Sequence, residues 1–237
     1  MNRIIFAIGT LLAFGTSVPA HATFITIDQF SAGTTDLNIT AAAPPTLTSS
    51  ETQTGLTGVL GGSRNVQIQK VSGLSGSTRN VQAAVDAPNQ QFAYISGNGV
   101  IGTMTLTYNA NGAGLNTQLG LVDSILLNFV DGDYSETRTI PITVTITAAN
   151  DQTGSLTQTL AVAQNPYVME FAISNFSNLS GLNLSTNTVK SISMNFSPSA
   201  TSADFTLSQI QVVPEPSAYA LAVIGVAAAA IGRRRRA

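Results

Sequence analysis

Between Thr139 and Thr147 the chain reads Thr139-Ile140-Pro141-Ile142-Thr143-Val144-Thr145-Ile146-Thr147. Successive side chains of an extended backbone point to opposite faces, so this alternation makes one apolar face and one hydroxyl face. Wound as a helix, the same residues would spread around the whole circumference and bury nothing well. The segment is therefore predicted to be a strand buried on one side. Pro141, which has no N–H to donate, predicts an edge position or a strand start.

Ten more segments read the same way: 24–30, 65–71, 80–85, 91–96, 102–108, 124–130, 155–162, 168–173, 189–196 and 204–213. Turn chemistry separates them, with Gly97-Asn98-Gly99, Asn111-Gly112, Asp131-Gly132 and the run Asn150 to Gly154. No stretch between residues 23 and 213 carries a helical stripe. About eleven short strands at regular intervals predict an all-β, two-sheet β-sandwich, jelly-roll-like in its winding. The segment from Tyr167 onward, with Leu182-Asn183-Leu184 between strands, is similar to the closing strands of carbohydrate-binding jelly rolls. One internal echo, Arg64-Asn65-Val66-Gln67 and Arg79-Asn80-Val81-Gln82, predicts two adjacent antiparallel strands.

The ends have a different character. Residues 1–22 combine Arg3, an apolar run from Ile4 to Phe14, the helix breaker Pro19 and a small-x-small site at Ala20 and Ala22. That is the pattern of a signal-peptide helix cut by signal peptidase before Thr23. His21 is the single histidine and there is no cysteine, so the mature chain would have neither. Disulfides are excluded even in an oxidising compartment.

At the other end, Pro214 and Pro216 set a tail apart from the 23–213 body. Ala218 to Ile231 is a 14-residue uncharged apolar stretch. As a helix it would span about 21 Å, short of the ~30 Å hydrocarbon core, so it predicts a short transmembrane helix that holds weakly. Arg233, Arg234, Arg235 and Arg236 would stop it on the cytoplasmic side, which agrees with a body exported by the signal peptide.

Pro214-Glu215-Pro216, an apolar helix and a basic cluster, in that order, resemble the PEP-CTERM sorting signal over residues 214–237. The stretch Gly61-Gly62-Ser63-Arg64-Asn65 is similar to one common in the bodies of such proteins. The resemblance implies that Pro214, Glu215 and Pro216 are read by an exosortase, a membrane-embedded cysteine transpeptidase-like enzyme. The chain would be inserted transiently in the inner membrane, then passed to the cell surface or the extracellular matrix. Proteins of this kind accompany exopolysaccharide production in Gram-negative bacteria.

The body has five basic side chains against eleven acidic ones, a net charge of −6. With no basic patch to neutralise phosphates, nucleic acid is excluded as a partner. Gly97-Asn98-Gly99-Val100-Ile101-Gly102 matches the spacing of a dinucleotide loop. A strand follows it rather than the helix such a site needs, so it predicts a hairpin. Asp131, Asp133 and Glu136 gather three carboxylates beside a turn and are the candidate ligands of a structural calcium ion. The spacing departs from an EF-hand, because Glu136 stands where the loop glycine belongs; a solvated hairpin loop is the simpler reading. No other cofactor is implied.

A catalytic triad or thiolate is excluded without His and Cys, and no catalytic residues are assigned. Two carboxylates could still serve a glycosidase, but no pair of acids selects itself. Tyr94, Tyr108, Tyr134 and Tyr167 are candidates for stacking on sugars. Asn38, Asn175, Asn178, Asn183 and Asn195 open N-x-Ser/Thr sequons, which carry no meaning in a bacterial host. The expectation is a non-enzymatic surface or matrix protein, with exopolysaccharide as its candidate partner. A secreted carbohydrate-active enzyme and a self-associating matrix component are the alternatives.

Overall fold

The computed structural model describes residues 24–40, 46–73, 80–119, 122–132, 138–160, 166–177, 184 and 188–215. These belong to one compact unit, Thr23–Glu215. Signal cleavage residues Ala20 and Ala22, Pro216, the cluster Arg233 to Arg236, and both expected terminal helices lie outside the described residues.

Among the described residues there are thirteen strands: β1 (Ile25–Asp28), β2 (Asp36–Ile39), β3 (Thr48–Thr54), β4 (Ser63–Gly73), β5 (Val81–Asp86), β6 (Gln91–Ser96), β7 (Val100–Tyr108), β8 (Val122–Gly132), β9 (Ile140–Ala148), β10 (Thr153–Leu160), β11 (Tyr167–Ala172), β12 (Val189–Phe196) and β13 (Phe205–Pro214). Among the described residues the only helical turns are three 3-10 turns. One sheet runs β11-β8-β13-β6-β5-β2, with β1 added alongside β13; the other runs β10-β9-β12-β7-β4-β3. From β6 onward the chain pairs as a long hairpin rolled on itself: β6 with β13, β7 with β12, β8 with β11, β9 with β10. That is the winding of a jelly roll.

The alternation seen in the sequence becomes the two faces of each sheet. In β9, Ile140, Ile142, Val144, Ile146 and Ala148 are buried while Pro141, Thr143, Thr145 and Thr147 face out. Pro141 is the second residue of β9, and β9 lies inside its sheet, so the proline marks a strand start rather than an edge. Phe205 joins the two layers: its ring stacks on Phe196 at 4.7 Å and on Tyr94 at 5.2 Å, and meets Phe129 edge-on at 5.8 Å. Gly102 lies across from this cluster. A Cβ there would come within 2.6 Å of Val81 and 2.8 Å of the Tyr94 hydroxyl, so only glycine fits.

Two expectations about chain path are corrected. The echoed segments do not pair: β4 and β5 lie in opposite sheets, each with other neighbours. Their shared pattern reflects facing core positions, since Val66 and Val81 are both fully buried. Gly97 to Gly99 likewise makes no hairpin. It turns the chain from β6 in one sheet to β7 in the other, closed by the Val100 N–H donating to the Gly97 carbonyl at 2.9 Å.

Tyr94 and Tyr108 are fully buried, so neither offers a ring to a ligand. Tyr134 lies outside the described residues, and Tyr167 is half-buried. Burial pushes both buried hydroxyls above their ordinary value of 10.0. Folded chains then keep two protons that unfolded chains lose at alkaline pH. The stability linked to these protons is complete below about pH 10 and falls as pH rises, with a slope approaching about 2.7 kcal/mol per unit for two tyrosines. Urea unfolding followed from pH 8 upward is expected to show that decline, and Tyr94→Phe is expected to halve its slope.

Candidate functional site

Three places on the sandwich gather polar chemistry. The first is the cleft nearest the acidic turn. Asp131 is exposed at the end of β8, while Asp133 and Glu136 lie outside the described residues. Strand pairing sets Asp131 opposite Thr206 of β13, and this brings in a carboxylate the sequence did not associate with it, Asp204. Both line a cleft of about 400 Å³ with Ala93, Ile95 and Thr206. Asp204 is held there by the Ser96 N–H, which donates to its Oδ1 at 2.8 Å. Among the described residues no three carboxylate or imidazole side chains come together as metal ligands. Two of the three residues of the expected calcium set, Asp133 and Glu136, lie outside the residues this covers. Nothing in the linear spacing of Asp131 and Asp204 could have joined them; only the β8–β13 register does.

The second place is the outer face of the six-stranded sheet. Its registers align residues across all six strands. One row runs Thr157, Thr143, Asn195, Thr105, Gln67, Ser50; the next runs Ser155, Thr145, Ser193, Thr107, Asn65, Thr52. All twelve side chains are uncharged and carry a hydroxyl or an amide. Some already bond along the row: Thr143 and Thr157 hydroxyls lie 2.8 Å apart, and Asn195 Nδ2 donates to Thr105 Oγ1 at 2.9 Å. The four inner strands β9, β12, β7 and β4 contribute because their alternate residues, such as Val144, Met194, Leu106 and Val66, are buried. Sequence reading found the threonine stripe of β9 but not the grid, because β3 has no apolar residue to mark it as a strand.

The third place is a break in the seven-stranded sheet. β6 pairs with β13 at Phe205–Leu207, and β1 pairs with the same edge at Ile210–Val212. Between them β13 bulges at Ser208, which has no partner on β8. The opening is a cleft of about 350 Å³ lined by Gln29, Asn89, Gln90, Ser208 and Gln209.

Beneath this break lies a buried charge network. Arg64 Nη1 donates to Asp28 Oδ2 at 2.7 Å, and both side chains are fully buried. Tyr108 donates its hydroxyl to the same oxygen at 3.0 Å, and the Phe30 N–H donates to Asp28 Oδ1 at 2.7 Å. Arg64 Nη2 donates to the Ala32 carbonyl at 2.9 Å and to Gln53 Oε1 at 2.8 Å. Burial lifts the Asp28 carboxyl above its ordinary value, against the pull of Arg64 and the hydrogen bonds it accepts. Phe30, at φ 52°, drops into the core beneath the Arg64 guanidinium and packs on Phe92 at 5.5 Å. The network thus fixes where β1 ends and where Gln29 stands. Its acidic and basic members carry no sequence signal for burial, since such residues are normally exposed.

At the far end of β13, Pro214 pairs opposite Val122 and closes the strand, and Glu215 is exposed. Two of the three expected sorting residues thus mark the limit of the sandwich.

Among solved structures, the chain is similar to the family 11 carbohydrate-binding module of the cellulosomal cellulase Lic26A-Cel5E of Clostridium thermocellum. The identity is 13% over 81% of this chain and 95% of that one, with a TM-score of 0.38. The solution structure of CtCBM11 gives 12% identity over 82% and 97% of the two chains, with a TM-score of 0.40. A carbohydrate-binding module specific for non-crystalline cellulose, CBM28, gives 12% identity over 62% and 76%, with a TM-score of 0.33. At these scores the likeness is one of general shape and says nothing about a ligand. No curated protein sequence matches the chain. Residues 212–236 match the family model of the PEP-CTERM protein-sorting motif, so the chain carries this sorting signal and with it the mark of an exported, exosortase-sorted protein.

Proposed function

We propose that the chain is a non-catalytic surface or matrix protein that an exosortase delivers, and that its sandwich binds uncharged exopolysaccharide across the outer face of the six-stranded sheet. The observation that carries this reading is the pair of unbroken six-residue rows from Thr157 to Ser50 and from Ser155 to Thr52. Hydroxyls and amides both donate and accept, which is what the hydroxyls of a polysaccharide require. The absence of charge from both rows offers nothing to an anionic chain and no repulsion to a neutral one. Many weak, repeated contacts along a polymer suit a matrix protein, whose binding gains from multivalency.

Affinity electrophoresis of the full chain in mild detergent, through gels containing the host's own exopolysaccharide, tests it. Retardation is expected. The combined change Thr143→Val, Thr105→Val and Thr107→Val keeps β-branched side chains on the strands and removes hydroxyls from the centre of the grid. It is expected to restore the mobility seen without polysaccharide. Unchanged retardation of that variant would move the site off this face.

One observation favours a second reading, the secreted carbohydrate-active enzyme: Asp131 and Asp204 line one cleft. Release of reducing ends from the same polysaccharide, abolished by Asp131→Asn, would be its signature.

A further inference from the structure

We propose that the break in the seven-stranded sheet, between the end of β1 and the start of β6, is a second binding site, built for a single uncharged sugar unit. It lies on the other sheet from the hydroxyl grid and stands whether or not the grid binds a polysaccharide chain.

The site follows from three local features of the chain. β1 and β6 run in the same direction along one edge of β13 and stop short of each other, leaving Ser208 and Gln209 uncovered on that edge. The bulge at Ser208 interrupts the ladder on the opposite edge as well, and such bulges re-aim side chains. The inward fold at Phe30 ends β1 and leaves Gln29 at the wall. From the opposite side, the turn between β5 and β6 supplies Asn89 and Gln90.

The lining has a single chemistry. Gln29, Asn89, Gln90 and Gln209 bring four carboxamides and Ser208 one hydroxyl, with no charged or aromatic side chain among them. Each carboxamide presents donors and an acceptor on one rigid plane, a match for neighbouring sugar hydroxyls that do both. The amides are also available. Among the described residues no side-chain hydrogen bond occupies Gln29, Gln90 or Gln209. Asn89 spends one N–H on Asp86 Oδ2 at 2.7 Å, and Ser208 makes only a long contact to the Asn128 carbonyl at 3.4 Å. At about 350 Å³ the cleft falls at the small end of ligand pockets, the size for one sugar ring rather than a chain.

Gln90 adds an independent pointer. It sits at φ 54°, in the left-handed region where glycine or asparagine is at ease. The turn closes around it through the Gln90 N–H donating to the Ala87 carbonyl at 3.1 Å. A glycine there would suit the backbone better, so the glutamine serves its side chain rather than the turn. Strain of this kind gathers at binding sites.

The full chain in detergent, 15N-labelled, can be titrated with glucose, galactose and mannose and, separately, with galacturonate. At least one neutral sugar is expected to shift the side-chain NH2 signals of Gln29, Gln90 and Gln209 at concentrations on the order of 10 mM, the weak affinity of a small polar ligand. Galacturonate is expected to leave them in place. Gln90→Gly is expected to weaken that binding by about tenfold or more while leaving the thermal midpoint unchanged or raised, which separates loss of the ligand from loss of the fold. The threonine-to-valine variant of the hydroxyl grid is expected to keep the same shifts, so failure of the grid and failure of this cleft read differently. The proposal is overturned if no neutral sugar moves these signals, if galacturonate moves them equally, or if Gln90→Gly and Gln209→Ala both bind as the wild type does.

Discussion

Arg64→Ala is expected to lower the unfolding free energy by about 3–5 kcal/mol, the range for removing one partner of a buried ion pair. The truncation would strand the Asp28 carboxylate inside the core with only the Phe30 N–H and the Tyr108 hydroxyl to hold it. It would also free the Ala32 carbonyl and Gln53 Oε1 and remove the guanidinium from above the Phe30 ring. Arg64→Met combined with Asp28→Leu is expected to recover most of that loss, since two apolar side chains of similar reach need no hydration given up. Urea unfolding of the two variants measures both effects. A loss for Arg64→Ala below about 1 kcal/mol would place the pair with surface ion pairs, which contribute that little, and would contradict its burial. Recovery by the double variant should leave the outer face of the six-stranded sheet intact but displace Gln29, because the network sets the end of β1. Binding at the break between β1 and β6 would then fall while stability returned.

The parts of this fold that were legible are those where burial alternates. The nine described positions of β9, and the similar runs in β7, β8, β12 and β13, announce themselves because an apolar residue every second position has no other efficient use. β3 has the same geometry with no apolar residue in it: Thr48 to Thr54 pairs along its whole length with β4, and its stability comes from that ladder rather than from the core. β2 has only four residues, too few to show a period. Pairing was not legible at all. Which strands meet is decided by the rolling of the whole hairpin, so the echo shared by β4 and β5 pointed to neighbours that lie in opposite sheets.

The sites divide along the same line. The sorting motif is contiguous in sequence, and Pro214-Glu215-Pro216 could be read directly. Each candidate binding place on the sandwich is assembled from segments far apart. Asp131 meets Asp204 through a strand register, and Gln29 meets Gln209 because β1 shares an edge of β13 with β6. Tyrosine was the residue type singled out for sugar binding, yet Tyr94 and Tyr108 point inward from β6 and β7. Their strand parity puts them on the core side with Phe92 and Leu106, and a ring at a core parity is a packing residue. What the outer face of the six-stranded sheet and the cleft at Ser208 present instead is amide and hydroxyl.

Changing Pro214, Glu215 and Pro216 together to alanine is expected to abolish delivery of the protein beyond the inner membrane while leaving its export intact. Export is expected to follow from the signal-peptide pattern of residues 1–22, which the change leaves untouched. The fold should also be untouched: Pro214 is the final residue of β13, Glu215 is exposed, and alanine is tolerated at the end of a strand. Proline at that position blocks continuation of the ladder. If the 14-residue apolar stretch beyond it is a helix, it would be too short to anchor the body well, which would suit a chain that is to be detached. In an exosortase-competent host, wild-type protein recovered from the surface or the medium is expected to lack the residues after the motif by intact mass. The alanine variant is expected to remain in the membrane fraction at the mass of residues 23–237, with its released form at background. Arg233 to Arg236 changed to serine should produce a different defect, loss of the cytoplasmic stop, and so an intact tail drawn across the membrane. If the alanine variant were released and shortened like the wild type, the motif would not be the signal that the exosortase reads. If wild-type surface material carried its full tail, the anchor would be permanent and the sandwich would act from the membrane rather than within the matrix.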